Sequence, residues 1–249
     1  MFKDGKEKRR NTIKKIELSL CPPEGASLLT AEGRRIVCMV RHGQTDWNEQ
    51  RRLQGREAVP LNGTGRSQAK ECGRMLRVAA DEGFVISKCF TSPLERASES
   101  AKYITEELGI PDAEVCELII ERDYGLFSGL GPDERRKLMS SGKDCGGESV
   151  AETSDRMKRA LCELARADGT APILAVTHGG VINALFYTLT RGKIGTGKTI
   201  SDNCSVSIAA VGKGAIIPLA YGLIGDSFAD YAKRLIEGPG NLCELWKAN

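Results

Sequence analysis

The chain has 249 residues, 41% of them hydrophobic and 28% charged, with a formal net charge of +3. That length is enough to bury one large core, and the composition is that of an ordinary globular domain. A charge so close to neutral argues against a nucleic-acid or membrane-surface partner, and no apolar run approaches the roughly 18 residues of a membrane span.

In chain order, residues 1–33 read as a basic, partly ordered extension (MFKDGKEKRRNTIKK, then a break at CPPEG), with KIELSL as a candidate edge strand. Residues 34–249 read as the main domain. RIVCMV (35–40) is a continuous apolar, β-branched run, the pattern of a buried strand. A loop follows to Asn62. The helix expected from Thr64 places Ala69, Cys72, Leu76 and Ala79 on one face. SKCFTS (87–92) is a short strand. The stretch 93–109 is a helix with Pro93 in its first turn and Gly109 at its end. VCELII (115–120) reads as a strand and 123–147 as a polar, glycine-rich loop. A helix is expected over roughly 149–167, with Val150, Met157, Leu161 and Leu164 on a common face. APILAVT (171–177) is a buried strand leading through His-Gly-Gly into the helix VINALFYTLTR. SVSIAAV and AIIPLAY pair about Gly212–Gly214, and SFADYAKRLIE is a last helix. Strands alternating with helices predict an α/β fold, a three-layer α/β/α sandwich with a mainly parallel central sheet.

Nine cysteines stand singly, without a C-x-x-C pair or zinc-ligand spacing. Several lie in apolar runs, where a thiol behaves as a small hydrophobe. Their odd number and scatter predict free thiols and a reducing, cytoplasmic location. The N-terminus lacks the apolar core of a signal peptide.

GKIGTGKT (192–199) fits the G-x-x-x-x-G-K-[ST] pattern of a phosphate-cradling nucleotide loop. Such a loop needs a strand before it and a helix beginning at its Lys-Thr end, so that amides point at the phosphates. Here the order is reversed: a helix precedes it and a strand follows. The segment is expected to be a glycine-rich connector, with Lys193 and Lys198 able to meet a distal substrate group only if it folds back to a pocket.

Only two histidines are present, His42 and His178. Each ends a buried strand candidate and is followed by glycine: IVCMV-RHG and ILAVT-HGG. The carboxyl ends of parallel strands line the ligand crevice, so the two are expected at one site. RHGQTDWN (41–48) resembles the signature of the histidine phosphatase superfamily, the phosphoglycerate mutase-like family. QGREAVPLNGTGRSQA (54–69), TSPLERASESA (91–101), ERDYG (121–125) and VTHGGVINAL (176–185) resemble its further motifs in the same order. The resemblance spans about Arg35 to Val211.

It implies a phosphomonoester hydrolase in which His42 attacks phosphorus and forms a phosphohistidine. Arg41 and Arg96 would hold the equatorial oxygens and lower the imidazole pKa, and His178 would hydrogen-bond the transferring group. Glu121 would be the general acid and then the general base; the competing carboxylate is Asp123, placed on the same side of the expected strand. Thr45, Asn48, Gln54, Gly55 and Gly179 complete the phosphate- and substrate-binding set. No metal and no cofactor is implied, and the partner is a small phosphorylated substrate. Two positions depart from the pattern: Ala58 where many members carry Asp, and Ser128 where many carry Glu or Gln. Mutases of the family keep a long, substrate-covering insertion after the acid motif, and the short segment here favours a phosphatase. A phosphoglycerate mutase, and an inactive phospho-ligand-binding protein on the same fold, are the alternatives.

Overall fold

The computed structural model describes residues 14–15, 18–19, 33–212 and 214–237. The basic segment before Arg34 lies outside the described residues, apart from two short strands, β1 (Lys14–Lys15) and β2 (Leu18–Ser19). β2 forms the outer edge of the main sheet, against the strand Ala215–Leu223. The elements that follow are β3 (Arg34–Arg41), α1 (Asp46–Glu49), α2 (Gly63–Asp81), β4 (Lys88–Thr91), α3 (Glu95–Leu108) and β5 (Glu114–Val115). After them come α4 (Pro132–Ser140), α5 (Val150–Leu164), β6 (Ile173–Thr177), α6 (Gly179–Leu189), β7 (Thr199–Ile200), β8 (Val206–Gly212), β9 (Ala215–Leu223) and α7 (Gly225–Glu237).

The main sheet has the order β2-β9-β8-β3-β6-β4-β5. β3, β6, β4 and β5 are mutually parallel. β8 runs against both β3 and β9, so β9 shares the sense of β3, and only β8 and the short β2 oppose the rest. β3 shows why two helical layers are needed. Ile36, Cys38 and Val40 enter a core with α2, α3 and α7. Val37 and Met39 enter a second core with α5 and α6. Every residue from Ile36 to Val40 is buried, as alternation in a doubly covered strand requires. The result is a three-layer α/β/α sandwich with a mainly parallel sheet.

The α2 face is as expected: Ala69, Cys72, Leu76 and Ala79 are buried. In α5, Met157, Leu161 and Leu164 are buried and Val150 is half-buried. All seven cysteines among the described residues are free, and burial pushes the Cys38 and Cys204 thiols up to about 12.

Four local expectations are corrected. The strand over 115–120 ends at Val115, and Glu117–Ile119 forms a 3-10 turn. There the backbone leaves the ladder because side chains take its carbonyls. Arg156 donates to Leu118 and Ile120, and the Thr177 hydroxyl donates to Ile119. The stretch 123–147 contains the nine-residue helix α4, opened by Pro132 at its first turn. The loop before Asn62 contains α1, capped by Thr45. Finally, Pro93 precedes α3 rather than lying in it.

GKIGTGKT is a connector between α6 and β7, with no helix at its Lys-Thr end. Gly192, Gly195 and Gly197 have positive φ, and the Thr199 hydroxyl accepts from the Gly195 amide at 2.9 Å. The loop therefore closes on itself and does not cradle a phosphate.

Candidate active site

Sheet register places the two histidines together. Arg41 of β3 pairs with Thr177 of β6, so His42 and His178 leave neighbouring strands at the same level. The His42 amide donates to the Thr177 carbonyl at 2.9 Å, and the ring centroids lie 5.2 Å apart at 58°. Both rings are buried. The turn after His42 is only possible with little side-chain bulk: a Cβ on Gly43 would stand 2.9 Å from the Gly65 carbonyl carbon at the start of α2. That contact accounts for glycine after this histidine.

His42 Nδ1 lies 2.7 Å from the Gly43 carbonyl oxygen. A carbonyl only accepts, so Nδ1 carries the proton and Nε2 keeps its lone pair. Burial, then the charges of Arg96 and Arg41, hold the His42 imidazole well below its ordinary range, against a smaller opposing effect of the Gly43 hydrogen bond. Burial, then Arg96, His42 and Arg41, lower His178 likewise. Its Nε2 lies 2.7 Å from the Ser92 hydroxyl, while its Nδ1 is buried without a protein partner.

The arginines come from two strand ends. Arg41 is the last residue of β3, and its guanidinium donates to the Ser201 carbonyl and packs against Gly179. Arg96 sits in the first turn of α3, 1% exposed, after β4 has delivered the chain to Ser92. Its two terminal nitrogens donate to the carbonyls of Glu57 (2.8 Å) and Gly55 (2.7 Å), and its Nε has no protein partner. Burial lowers the Arg96 pKa to about 10 against the attraction of Glu121, still charged at neutral pH.

Glu121 is 7% exposed. Its carboxylate accepts from the Arg122 amide at 2.8 Å and, more weakly, from the Gly180 amide at 3.3 Å. Burial raises its pKa, and the two amides with Arg96 and Arg41 only partly oppose this. Asp123 accepts instead from the Gly125 amide and does not line the cavity, so the pair is not on one strand face as expected. Arg156 props the Glu121 segment by holding the Leu118 and Ile120 carbonyls while pairing with both oxygens of Glu148 at 2.8 Å.

A cavity of about 240 Å³ opens here, lined among others by Arg41, His42, Asn48, Gln54, Glu121 and Gly179. Arg96 and His178 are not among its lining residues, and each keeps a buried side-chain nitrogen that no described residue partners. Of the remaining sequence candidates, Asn48 faces the cavity while its side-chain oxygen accepts from Thr45 and Asn203. Gln54 lines it with a buried, unpartnered carbonyl oxygen. Thr45 does not line it: its buried hydroxyl caps α1 and bonds Asn48, so it orients a neighbour. Gly55 also lies off the cavity and serves through its carbonyl on Arg96. Ser128, the departure from the family pattern, packs on Gly55, where a Cβ would stand 2.6 Å from its hydroxyl. Neither Lys193 nor Lys198 lines the cavity; Ile200, just beyond that loop, does.

Sequence reasoning missed Ser92, Arg51, Arg52, Tyr124, Gly180 and Asn183. Ser92 was reachable, as the residue ending a strand that neighbours β6. Gly180 has a steric reason. A Cβ there would stand 2.5 Å from Glu121 Oε1 and closer still to the Tyr124 hydroxyl. Gly180→Ala is therefore expected to displace Glu121, destabilise the fold by about 1–3 kcal/mol and lower turnover much more than that loss explains. Denaturant unfolding measured beside initial rates checks this.

Comparison with known proteins identifies the family. Residues 37–222 match the family model of the histidine phosphatase superfamily, branch 1. The chain is 37% identical over 156 residues to an uncharacterised phosphatase, PhoE, of Bacillus subtilis, covering 63% of this chain and 78% of that protein. It is 34% identical over 218 residues to a 2,3-bisphosphoglycerate-dependent phosphoglycerate mutase of Methylocella silvestris, covering 82% of this chain and 98% of the mutase. The solved phosphoglycerate mutase of Bacillus anthracis shares the fold with a TM-score of 0.66 and 21% identity, over 81% of this chain and 97% of that one. The family model covers most of the chain, including the stretch that holds Arg41, His42, Arg96, Glu121 and His178, and the chain belongs to the histidine phosphatase superfamily.

Proposed function

We propose that the protein is a phosphomonoester hydrolase working through a phosphohistidine on His42. The observation that carries this is the His42 tautomer: Nδ1 is held by the Gly43 carbonyl, and Nε2 is left unprotonated. In the first half-reaction Nε2 attacks phosphorus as the bond to the leaving oxygen breaks, and Glu121 gives that oxygen its proton. Arg41, Arg96, Asn48 and the Nδ1–H of His178 hold the three equatorial oxygens, with the Ser92 hydroxyl donating to His178 Nε2. In the second half-reaction Glu121 takes a proton from water, the hydroxide attacks phosphorus, and the P–N bond breaks to release phosphate and restore His42. Burial favours the protonated form of Glu121, which suits the first step, and the ionised form left after proton donation suits the second.

Phosphatase is preferred to mutase because little covers the cavity among the described residues. Between Glu121 and Glu148 only Tyr124 lines it, and α4 contributes nothing. Water then reaches the phosphoenzyme, which a mutase must prevent. The match over 98% of a mutase's length supports a second reading, phosphoglycerate interconversion. A reducing, intracellular setting fits the free cysteines, and no helix among the described residues is long and apolar enough to cross a membrane.

Phosphate release from a panel of phosphomonoesters, with and without chelator, tests the proposal. Turnover insensitive to chelator is expected. No release from any ester would refute hydrolysis, and 2,3-bisphosphoglycerate-dependent interconversion of 2- and 3-phosphoglycerate would install the mutase reading.

A further inference from the structure

Three arginines line the cavity, and they differ in what they are bonded to. Arg41 donates to the Ser201 carbonyl. Arg52 donates from Nε to the Gly129 carbonyl at 2.7 Å and stacks its guanidinium 4.0 Å over the Trp47 ring. Two further arginines that do not line it, Arg56 and Arg156, pair with Glu148. Arg51 alone of the three lining arginines has no side-chain hydrogen bond or ion pair to a described residue. Its backbone is also unusual: φ is +56°, the left-handed region, at a non-glycine residue. Such a conformation is disfavoured for a residue with a side chain, and a glycine there would avoid the strain. The chain turns sharply after α1, and this turn brings Arg51 to the cavity.

The charge balance is uneven. Among the lining residues the cationic groups are Arg41, Arg51 and Arg52, and the single carboxyl is Glu121. Arg41 and Arg96, with Asn48 and His178, suffice for one phosphoryl group. Arg51 and the free edge of Arg52 are then left facing whatever extends from that phosphoryl toward Leu53 and Ile200. A neutral alcohol would leave two guanidiniums facing it without a counter-charge, whereas a planar fork of donors matches a carboxylate or phosphate.

We infer that Arg51 is a specificity-determining residue and that the preferred substrates are phosphomonoesters bearing a second anionic group, a carboxylate or a second phosphate, on a short carbon frame. This rests on the phosphatase reading of the same site. A cavity of about 240 Å³ accommodates a phosphoryl group with a few further carbons and their substituents. Arg52, fixed by Gly129 and Trp47, supplies the rigid part of the subsite, and Arg51 supplies the part that closes on the ligand.

Arg51→Gly is the suitable variant, because glycine accepts the positive φ and removes the side chain with its guanidinium. The readout is the ratio of kcat/KM for an ester with a second anion to that for one without. 3-Phosphoglycerate against glycerol 3-phosphate tests the carboxylate, and fructose 1,6-bisphosphate against fructose 6-phosphate tests the second phosphate. In the wild type at least one ratio is expected to exceed about tenfold, and Arg51→Gly to reduce that ratio by about tenfold or more, mainly through KM. Arg51→Lys should restore part of it, and whichever pair shows the effect names the anion. Ratios near one in the wild type, or an equal loss on both members of each pair, would overturn the assignment. Calorimetry on His42→Ala separates this from the chemistry. Preferential binding of the doubly anionic ligand, lost in His42→Ala/Arg51→Gly, upholds the subsite even if no ester is hydrolysed; equal binding of both members of each pair overturns it.

Discussion

Replacing His42 with alanine is expected to lower phosphate release by about 10⁴-fold or more, the scale seen when a covalent nucleophile is lost. Without an Nε2 lone pair no phosphoenzyme forms. The remaining groups, Arg41, Arg96 and His178, still bind a phosphate-like anion, so inorganic phosphate should bind to the variant with comparable affinity. His178→Ala is a useful contrast. If His178 stabilises charge on the transferring group, its loss should cost about 10²–10³-fold, as for a single donor to a developing oxyanion. Steady-state rates of both variants, with circular dichroism confirming that each folds, measure the difference. Equal losses would mean that the two histidines are not nucleophile and stabiliser.

Glu121→Gln gives the second large effect, and its size should depend on the leaving group. An alkoxide needs a proton as it departs, so hydrolysis of an alkyl phosphate should fall by about 10²–10⁴-fold. p-Nitrophenolate leaves without one, so p-nitrophenyl phosphate should lose far less in the first half-reaction. The pH dependence follows from the two shifted groups. Burial raises Glu121 above the ordinary carboxylate range, so the acid form is present below that elevated pKa and is lost as pH rises through it. Burial with Arg96 and Arg41 lowers His42 below 6.5, so the nucleophile is present above that depressed pKa and is lost as pH falls through it. The kcat/KM profile for an alkyl phosphate is therefore a bell, with an acidic limb from His42 and a basic limb from Glu121. Glu121→Gln should abolish the basic limb. A basic limb that persists unchanged in Glu121→Gln would remove Glu121 from the role.

Much of this site was legible because its parts sit at the ends of strongly patterned elements. RIVCMV and ILAVT are buried on both faces, so their apolar runs stand out. The residues that follow them, His42 and His178, inherit their positions from the Arg41–Thr177 register. Arg96 was legible for a similar reason, one residue into a helix with a clear apolar face. The segment from Cys116 to Glu121 was misread because its hydrophobic pattern is real while its hydrogen bonds are not those of a strand. Ile119 is buried, but Arg156 and Thr177, distant in sequence, take the carbonyls that a neighbouring strand would take. α4 escaped notice because none of its residues is buried, so no apolar periodicity marks it. Arg51 could not be found by pattern at all. It is one arginine in a charged stretch, and only its backbone conformation and its lack of a partner distinguish it. GKIGTGKT shows the converse: a clear pattern whose neighbouring elements run in the wrong order for the function it advertises.

The account depends most on a covalent bond between phosphorus and His42 Nε2. Rapid acid-free quenching of the enzyme during turnover of a radiolabelled phosphomonoester, followed by peptide mapping under alkaline conditions, tests it directly. A base-stable, acid-labile phosphoryl group on the peptide containing His42, absent from His42→Ala and longer-lived in Glu121→Gln, is the predicted result. Turnover with no label on that peptide at any time, or label on His178 instead, would contradict it.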